Sequence, residues 1–317
     1  MYLLGIDLGG TNIAVGLTDE NGKILLKDSV RTDSERGMDA VTKDMADLCI
    51  KICKDYNISI SDVHAIGIGI PGTLDTKNGI IVYTNNLAVE NYHIREELNK
   101  YIDKPVYISN DANVAALGEF TGGVAKDYNS AVMVTLGTGV GGGIILDKKL
   151  WEGLNSAGGE IGHIVINVGG ELCTCGRKGC WEAYSSATGL IRDTKRAMEE
   201  YTDSIMHKLA GDSGKVSGKT AFTAAKQGDK AGQMVVDSYI NNLAEGITNI
   251  INLLAPEVII IGGGVCNEGD YLTIPLKKAV YERCYGGEDL PHSDILIATL
   301  GNDAGIVGAA MLGVQNI

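Results

Sequence analysis

A cluster of three cysteines and one histidine near the middle of the chain constrains the fold more than any other feature. Cys173, Cys175 and Cys180 lie within eight residues, and His163 lies ten residues before the first of them. Thiolates and imidazole are ligands that suit Zn²⁺, and three cysteines with one histidine complete a tetrahedral structural site. Two intervening glycines allow the tight turns that such a loop needs. The spacing therefore predicts a zinc loop.

Two other interpretations of the cysteine cluster stay open beside zinc. A disulfide between Cys173 and Cys175 would be strained, because the two residues are so close in sequence. The N-terminus also lacks the pattern of an export signal. The remaining alternative is a cluster of free thiols. Ligand types and spacing favour zinc over both.

Two glutamates flank this cluster, Glu160 on one side and Glu182 on the other. A carboxylate beside a metal-ordered loop is held in a fixed direction, and its oxygens accept hydrogen bonds from hydroxyl groups. The arrangement predicts recognition of a polyhydroxylated ligand. The alternative is that both glutamates are solvated surface charges, as most glutamates are.

Composition narrows the class of protein. The chain has 317 residues, of which 44% are hydrophobic and 21% charged, which is typical of one large or two ordinary globular domains. The net charge of −13 argues against a nucleic-acid-binding surface. No apolar run approaches the length of a membrane span. Seven cysteines without an export signal fit a reducing cytoplasm, which is the expected location.

A pattern of strand, glycine turn, strand and hairpin occurs twice. Residues 2–8 form an apolar run that ends in Gly9-Gly10-Thr11, and a similar run at 131–136 ends in Gly137-Thr138-Gly139. Further strands are predicted at 13–18 and 23–30 in the first copy, and at 140–146 in the second. Asn21-Gly22 is typical of a type I′ hairpin turn, and Asp147-Lys148 is a second predicted turn. The repetition predicts a duplicated α/β unit with a cleft between the copies.

The remaining segments alternate between helix and strand patterns. Val41, Met45, Leu48 and Ile52 have the spacing of an amphipathic helix, and Leu243 to Leu254 belong to a long helix that Pro256 ends. Further helices are predicted at about 188–210 and 307–312. Further strands are predicted at 63–70, 105–109 and 257–261. A loop rich in glycine, serine and lysine is predicted at 211–219.

An acid stands at the end of the first predicted strand. Asp7 could point into a cleft and hold Mg²⁺, directly or through water. The alternative is an aspartate that caps the following turn.

The flanking glutamates, histidine and cysteines resemble the signature of the ROK family of sugar kinases and repressors. That signature reads Glu-x-Gly-His, then Cys-x-Cys-Gly-x-x-Gly-Cys-x-Glu, and this chain matches every fixed position. The resemblance implies that Glu160, His163 and Glu182 contact a sugar. It also implies that structural Zn²⁺ is held by His163, through its other ring nitrogen, and by Cys173, Cys175 and Cys180.

The order of the glycine turns along the whole chain also resembles the actin-like ATPase fold. The resemblance implies two ribonuclease-H-like α/β domains around a nucleotide cleft, with bounds at 1–118 plus about 302–317 and at 119–301. Segments near 110–120 and 301–313 would be crossing helices at the hinge. The implied ligands are ATP and Mg²⁺. The implied ATP-binding residues are Asp7, Gly9, Gly10, Thr11, Asn12, Gly137, Thr138, Gly139, Gly262, Gly263 and Gly264.

These resemblances imply a hexose kinase that transfers a phosphoryl group from ATP, with glucose as the expected hexose. Asp111 is the candidate general base and Asn110 a sugar ligand, with Gly72 and Asn86 completing the sugar pocket. The alternative for Asn110-Asp111 is a helix N-cap pair. A homodimer is expected, without nucleic-acid or membrane partners.

Three other functions are alternatives to a glucose kinase. The first is a kinase for another sugar, such as N-acetylmannosamine, fructose, mannose or allose. The second is a sugar-binding regulator without catalysis. The third is a transcriptional repressor, which we expect to be excluded because the first glycine turn begins within ten residues of Met1.

Overall fold

The computed structural model describes residues 1–84, 87–211 and 215–316. Strands and helices alternate along the chain, which confirms the predicted α/β class. The strands are β1 Tyr2–Leu8, β2 Asn12–Thr18, β3 Ile24–Arg31, β4 Val63–Ile70, β5 Thr73–Asp75, β6 Ile80–Thr84, β7 Val89–Tyr92, β8 Val106–Asn110, β9 Ala131–Leu136, β10 Val140–Leu146, β11 Lys149–Trp151, β12 Val258–Gly262 and β13 Asp294–Ile297. The helices are α1 Met38–Asp55, α2 Ile94–Asn99, α3 Asp111–Thr121, α4 Glu182–Ser185, α5 Ala187–Glu200, α6 Met206–Ala210, α7 Thr220–Lys226, α8 Lys230–Leu254, α9 Asp270–Tyr281 and α10 Asp303–Gln315.

The chain divides into two compact units by its internal contacts. The first unit comprises Met1–Met133, Gly143–Gly159 and Ala298–Ile317, and the second comprises Val134–Gly142 and Glu160–Ile297. The domain bounds expected from sequence, at about 118 and 302, stay a prediction. None of the helices in the described part of the chain has the length and apolar content that a membrane span requires.

Two five-stranded sheets share one topology, which confirms the duplication predicted from sequence. Their orders are β3-β2-β1-β4-β8 and β11-β10-β9-β12-β13, so each sheet runs third, second, first, fourth, fifth along its own strands. In the first sheet, β1 pairs antiparallel with β2 and parallel with β4. In the second sheet, β10 and β11 are antiparallel, whereas β12 and β13 are parallel. A smaller sheet has the order β5-β6-β7.

Glycines let helix α10 lie directly on the first sheet. A Cβ atom on Gly5 of β1 would lie 1.9 Å from the backbone oxygen of Ile306, and one on Gly67 of β4 would lie 1.7 Å from that of Ala309. The same helix crosses α3 at Gly308, where a Cβ would lie 1.6 Å from the Val114 oxygen. Helices are therefore present in both segments that were expected to cross, while their hinge role stays a prediction.

The first predicted hairpin forms, but its turn is not type I′. A type I′ turn needs positive φ at both central residues, and only Gly22 of the Asn21-Gly22 pair has one. The Asp19 carboxylate accepts hydrogen bonds from the backbone N–H groups of Asn21 and Lys23, which holds a longer loop instead. The type I′ turn predicted at Asn21-Gly22 was wrong, because the Asp19 side chain binds backbone N–H groups of this loop and favours the longer conformation.

Asp147 and Lys148 adopt φ values of 50° and 63° in the matching hairpin of the second sheet. Positive φ at both residues is the type I′ signature. The predicted turn is therefore confirmed at this pair, although neither residue is a glycine.

A single helix was predicted over about 188–210, and this prediction was wrong. The structure has two helices, α5 and α6, with a break between Glu200 and Met206. The Asp229 carboxylate accepts hydrogen bonds from the Ser204 hydroxyl at 3.0 Å and the Ile205 backbone at 2.9 Å. A tertiary contact therefore captures an N–H group that a continuous helix would have used. Within the loop predicted at 211–219, residues 212–214 lie outside the described part of the chain.

The other predicted elements match to within a few residues. Val41, Met45, Leu48 and Ile52 are all buried on α1. Helix α8 ends at Leu254 with the next residue in the left-handed conformation, directly before the proline that was expected to end it.

Candidate active site and metal centre

The four predicted metal ligands converge within the second unit. The ligand atoms of His163, Cys173, Cys175 and Cys180 all lie within 4.8 Å of one another. The Cys175 and Cys180 sulfurs are 3.7 Å apart, and the His163 Nδ1 atom is 3.6 Å from the Cys173 sulfur. Tetrahedral zinc with Zn–S bonds of about 2.3 Å requires sulfur–sulfur separations of about 3.8 Å. The donor set and its spacing therefore fit a four-coordinate metal ion.

The protein environment acts differently on the three thiols. Burial raises the pKa of Cys180 to about 12 and also raises the pKa of Cys173. The backbone N–H of Arg177 lowers the pKa of Cys175. Because a metal binds thiolates and displaces their protons, these buried thiols would release protons when a cation enters.

A buried tryptophan anchors the C-terminal end of the metal loop. The Trp181 side chain is fully buried, and its indole N–H donates to the Asn242 oxygen at 3.0 Å. A Cβ atom on Gly246 of α8 would lie 2.0 Å from the indole ring. The space that the Trp181 ring needs therefore explains the glycine in the long helix. Because Trp181 lies between Cys180 and Glu182 in sequence, its contact with α8 also fixes the position of these two residues.

Glu182 connects the metal loop to the second glycine turn. Its Oε1 atom accepts a hydrogen bond from the Thr174 hydroxyl at 2.8 Å, and its Oε2 atom accepts one from the Val140 backbone N–H at 3.0 Å. A Cβ on Gly139 would lie 2.3 Å from the same Oε2 atom. Glycine at this position is therefore needed for the carboxylate to reach the turn.

The second glycine turn is held from its other side by α5. The Ala187 N–H donates to the Gly137 oxygen at 2.9 Å, and the Thr188 hydroxyl donates to the Thr138 oxygen at 2.7 Å. Gly137 and Thr138 are exposed. Hydrogen bonds from α5 thus hold the backbone of the turn, while the tip of the turn faces solvent.

The third predicted glycine segment packs beneath the second turn. Gly263 has a φ of 101°, and a Cβ there would lie 2.2 Å from the Leu136 oxygen. Gly262 ends β12 and is buried, whereas Gly264 is exposed. The structure therefore brings Gly262–Gly264, Gly137–Gly139 and Glu182 together in one unit.

Glu160 precedes the candidate metal ligand His163 by a single turn. It is exposed, and its backbone oxygen accepts from the His163 N–H at 3.1 Å. Gly162 between them approaches β10 so closely that a Cβ would lie 2.1 Å from the Val140 oxygen. This contact sets the position of the segment beside the second glycine turn.

In the first unit, the other glycine turn follows Asp7 on β1. The Gly9 N–H donates to the Asn12 oxygen at 3.0 Å, which closes a tight turn through Gly10 and Thr11. Thr32 braces it with a hydroxyl bond to the Gly9 oxygen at 2.6 Å. Gly10, Thr11 and Asn12 are exposed, as expected of residues that bind a ligand through the tip of a turn.

Asn110 and Asp111 begin α3 in the first unit. The Asn110 side chain accepts from the Ala112 N–H at 2.9 Å and donates to the Gly72 oxygen at 3.3 Å. The structure therefore brings together Gly72 and Asn110, two predicted sugar ligands. The Asp111 carboxylate also accepts from the Ala112 N–H at 2.9 Å. The alternative that this pair caps a helix is borne out, and a cap role leaves the other carboxylate oxygen available.

Two acids of the first unit have raised pKa values. Burial, and then the charge of Asp111, raise the pKa of Asp7 to about 6. Desolvation also raises the pKa of Asp111, against the opposing hydrogen bond from the Ala112 backbone. Gly305 of α10 leaves space for Asp7, since a Cβ there would lie 2.8 Å from its Oδ2 atom. Such a pair of acids is typical of functional sites.

Asn86 was predicted to complete the sugar pocket, and several residues that support the site were not predicted. Asn86 lies outside the described residues. Thr32 and Thr188 support the glycine turns and Thr174 contacts Glu182, and sequence reasoning missed all three because a threonine in a loop carries no signal of its own. Another missed group is Glu152, whose carboxylate accepts from the Ser109 hydroxyl at 2.5 Å, directly before Asn110.

The chain is similar to known proteins over its whole length. A model of the ROK family matches residues 3–316. A glucokinase of Thermotoga maritima is 36% identical over 318 residues, covering 100% of this chain and 98% of that protein. A xylose repressor of Bacillus spizizenii is 29% identical, and the match covers 99% of this chain and 77% of the repressor.

Two solved structures are similar over nearly their full length. A ROK family glucokinase from Streptomyces griseus, in complex with glucose and AMPPNP, has a TM-score of 0.79 and 33% identity, covering 99% of this chain and 100% of that one. A ROK hexokinase from Thermus thermophilus has a TM-score of 0.84 and 30% identity, covering 100% of both chains. With the duplicated sheets, these similarities confirm the expected actin-like ATPase fold.

Proposed function

The chain belongs to the ROK family, and from that premise we propose that it is an ATP-dependent hexokinase that phosphorylates glucose to glucose 6-phosphate. The proposal agrees with the glucokinases and hexokinase that match it over nearly full length. The observation that carries it is the arrangement around Glu182. This carboxylate, next to the cluster of candidate metal ligands, accepts a hydrogen bond from the N–H of Val140, the residue directly after the glycine turn Gly137–Gly139.

Phosphoryl transfer needs a positioned hydroxyl, neutralised phosphate charge and a proton acceptor. We assign the acceptor role to Asp111. Desolvation raises its pKa, which makes the ionised carboxylate a stronger base for the sugar hydroxyl. Asn110, held by Gly72 and by its own helix, would hold a neighbouring hydroxyl.

The exposed glycine turns would bind the phosphates of ATP. Their backbone N–H groups suit oxyanions, and each turn is braced from behind by a threonine hydroxyl, Thr32 in one unit and Thr188 in the other. Such bracing keeps the donors in place before ATP arrives. The net charge of −13 gives no general attraction for ATP, so these local donors matter.

Asp7 is the residue we assign to Mg²⁺. Within the described residues it forms no ion pair with a basic side chain, and burial raises its pKa to about 6. A buried acid without a cationic partner fits a divalent cation. When bound, Mg²⁺ supplies charge neutralisation at the phosphates.

The metal cluster is assigned to structural zinc. Four protein ligands complete a tetrahedral set, so no open position is left for chemistry. In this proposal the metal stiffens the loop, Glu160 and Glu182 accept hydrogen bonds from the sugar, and the ring N–H of His163 that is not on the metal donates one.

An assay of hexoses with ATP tests the proposal. The wild-type protein should phosphorylate glucose, and Asp111→Asn should reduce kcat by a factor of about 10³ or more, because the proton acceptor is lost. Metal content should change little, and the urea unfolding midpoint at neutral pH should not fall, because desolvation already disfavours the ionised Asp111 carboxylate in the native state. Asp28→Asn, an exposed acid paired with Lys51, is the matched control. Near-normal turnover in Asp111→Asn would remove it from the mechanism.

The same panel decides among the alternatives. Preference for N-acetylmannosamine, fructose, mannose or allose would replace glucose as the substrate. Sugar binding without turnover would favour a regulator, the role suggested by the similarity to a xylose repressor. We further propose a cytoplasmic homodimer, which sedimentation velocity would test.

A further inference from the structure

Thr174 occupies an unusual place in the metal loop. It stands between the ligands Cys173 and Cys175, and its hydroxyl donates to Glu182 Oε1 at 2.8 Å. Because the residues on both sides bind the metal, the direction of its side chain is set by the metal cluster. Its hydroxyl oxygen lies 3.9 Å from the Cys173 sulfur, and a threonine hydroxyl is not among the usual ligands of zinc.

The other carboxylate oxygen of Glu182 points to the second glycine turn. It accepts from the N–H of Val140, the residue directly after Gly139. One carboxylate thus joins two segments that lie more than thirty residues apart in sequence. Since a carboxylate offers about four acceptor positions, the hydrogen bonds from Thr174 and Val140 leave further acceptor positions on Glu182 for sugar hydroxyls.

We propose that Thr174 is a positioning residue that aims Glu182, and that through this pair the metal loop sets the second glycine turn for the phosphates of ATP. This inference rests on the proposed function, which it extends. Glu182 would serve both substrates, the hexose directly and ATP through the backbone of Val140.

The physical reason is the freedom that Glu182 would gain. Its side chain has several rotatable bonds, and the hydrogen bonds from Thr174 and Val140 hold it in one orientation. The Cys173 sulfur also lies 3.5 Å from Oε1, but as a metal-bound thiolate it would have no proton to donate. Without the Thr174 hydroxyl, Oε1 would bond to water and the carboxylate would turn away from Val140. A hydrogen bond to a charged group that is partly exposed is worth a factor of about three to ten in an equilibrium constant.

Two variants isolate the hydroxyl. Thr174→Val keeps the shape of the side chain but removes the donor, whereas Thr174→Ser keeps the donor. We expect Thr174→Val to retain full metal content, with the KM for hexose and the Kd for AMPPNP each raised about three- to tenfold. Thr174→Ser should stay within about twofold of wild type. The Kd is measured by calorimetry without turnover.

Thr188→Val is the comparison variant, because Thr188 braces the same turn from α5 without contacting Glu182. It should weaken AMPPNP binding and leave the KM for hexose unchanged.

The possible results separate the two proposals. Unchanged affinities in Thr174→Val would overturn the inference, and so would a raised hexose KM with an unchanged Kd for AMPPNP. If the wild type phosphorylates no hexose, the proposed function fails, while the calorimetric comparison still decides whether Thr174 controls the nucleotide turn.

Discussion

Replacing Asp7 by asparagine should make the protein more stable at neutral pH while removing its function. The carboxyl has an ordinary pKa of 3.8, which the native structure raises to about 6 through burial and the charge of Asp111. The native state therefore keeps a proton on Asp7 between these values, whereas the unfolded chain has lost it. Stability contributed by the protonated group is present below pH 3.8 and is lost as pH rises to about 6.

The size of the effect follows from the two pKa values. One pH unit between them corresponds to about 1.4 kcal/mol, so the ionised Asp7 destabilises the native state by up to about 3 kcal/mol at pH 8. Asparagine has nearly the same shape and does not titrate. The difference in unfolding free energy between Asp7→Asn and wild type should thus grow from near zero at pH 4 to about 3 kcal/mol at pH 8.

Urea denaturation followed by circular dichroism, in magnesium-free buffer at several pH values, measures this difference. Asp28→Asn is the control, because its exposed carboxylate is bonded to Lys51 and has a lowered pKa, the opposite sign. It should gain no stability at pH 8. Added Mg²⁺ should stabilise the wild type and leave Asp7→Asn unchanged. If the unfolding free energies of wild type and Asp7→Asn differed by the same amount at every pH, the proposed effect of the raised pKa would be refuted.

Two further variants test the packing and the metal loop. Gly308→Ala should lower the unfolding free energy by about 3 kcal/mol, because its Cβ would meet the Val114 oxygen at 1.6 Å, whereas Gly218→Ala, with open space around it, should change it little. Equal urea midpoints for the two would contradict this account of the helix crossing. Cys175→Ser removes a candidate ligand itself, so it should weaken metal binding by more than the about 100-fold expected for a residue that only supports a ligand, as measured in a chelator titration. It should also raise the KM for hexose, whereas Cys266→Ser should keep its metal. A metal-free Cys175→Ser with unchanged hexose affinity would separate the metal from the sugar site.

The sequence predicted most of the secondary structure because its signals are local. Alternating apolar runs gave the strands of both sheets, and the apolar spacing along α1 gave its buried face. The cysteine spacing predicted the metal cluster, since ligands close in sequence have few ways to be arranged around one ion. Repetition of the glycine turns likewise predicted the duplicated topology.

Local signals failed where an aspartate side chain competed for a backbone N–H group, from a distant segment at Asp229 and from the same loop at Asp19. Asp229 ended the predicted helix by capturing the Ile205 N–H, and Asp19 replaced the expected type I′ turn with a longer loop. Residue type alone does not tell these two aspartates from the other aspartates of the chain. Only the folded chain decides which N–H lies within reach.

The sequence by itself determined which residues are the candidates for the chemistry, because the predicted metal ligands, the glycine turns and the two acids have types and spacings that few other roles require. The tertiary structure decided how those residues are held: Thr174 on Glu182, Trp181 against Gly246, and Asp7 beside Asp111. These contacts join residues far apart along the chain, or depend on directions of side chains that no sequence pattern specifies. Burial and neighbouring charge, which raise the pKa of Asp7, likewise exist only after the chain has folded.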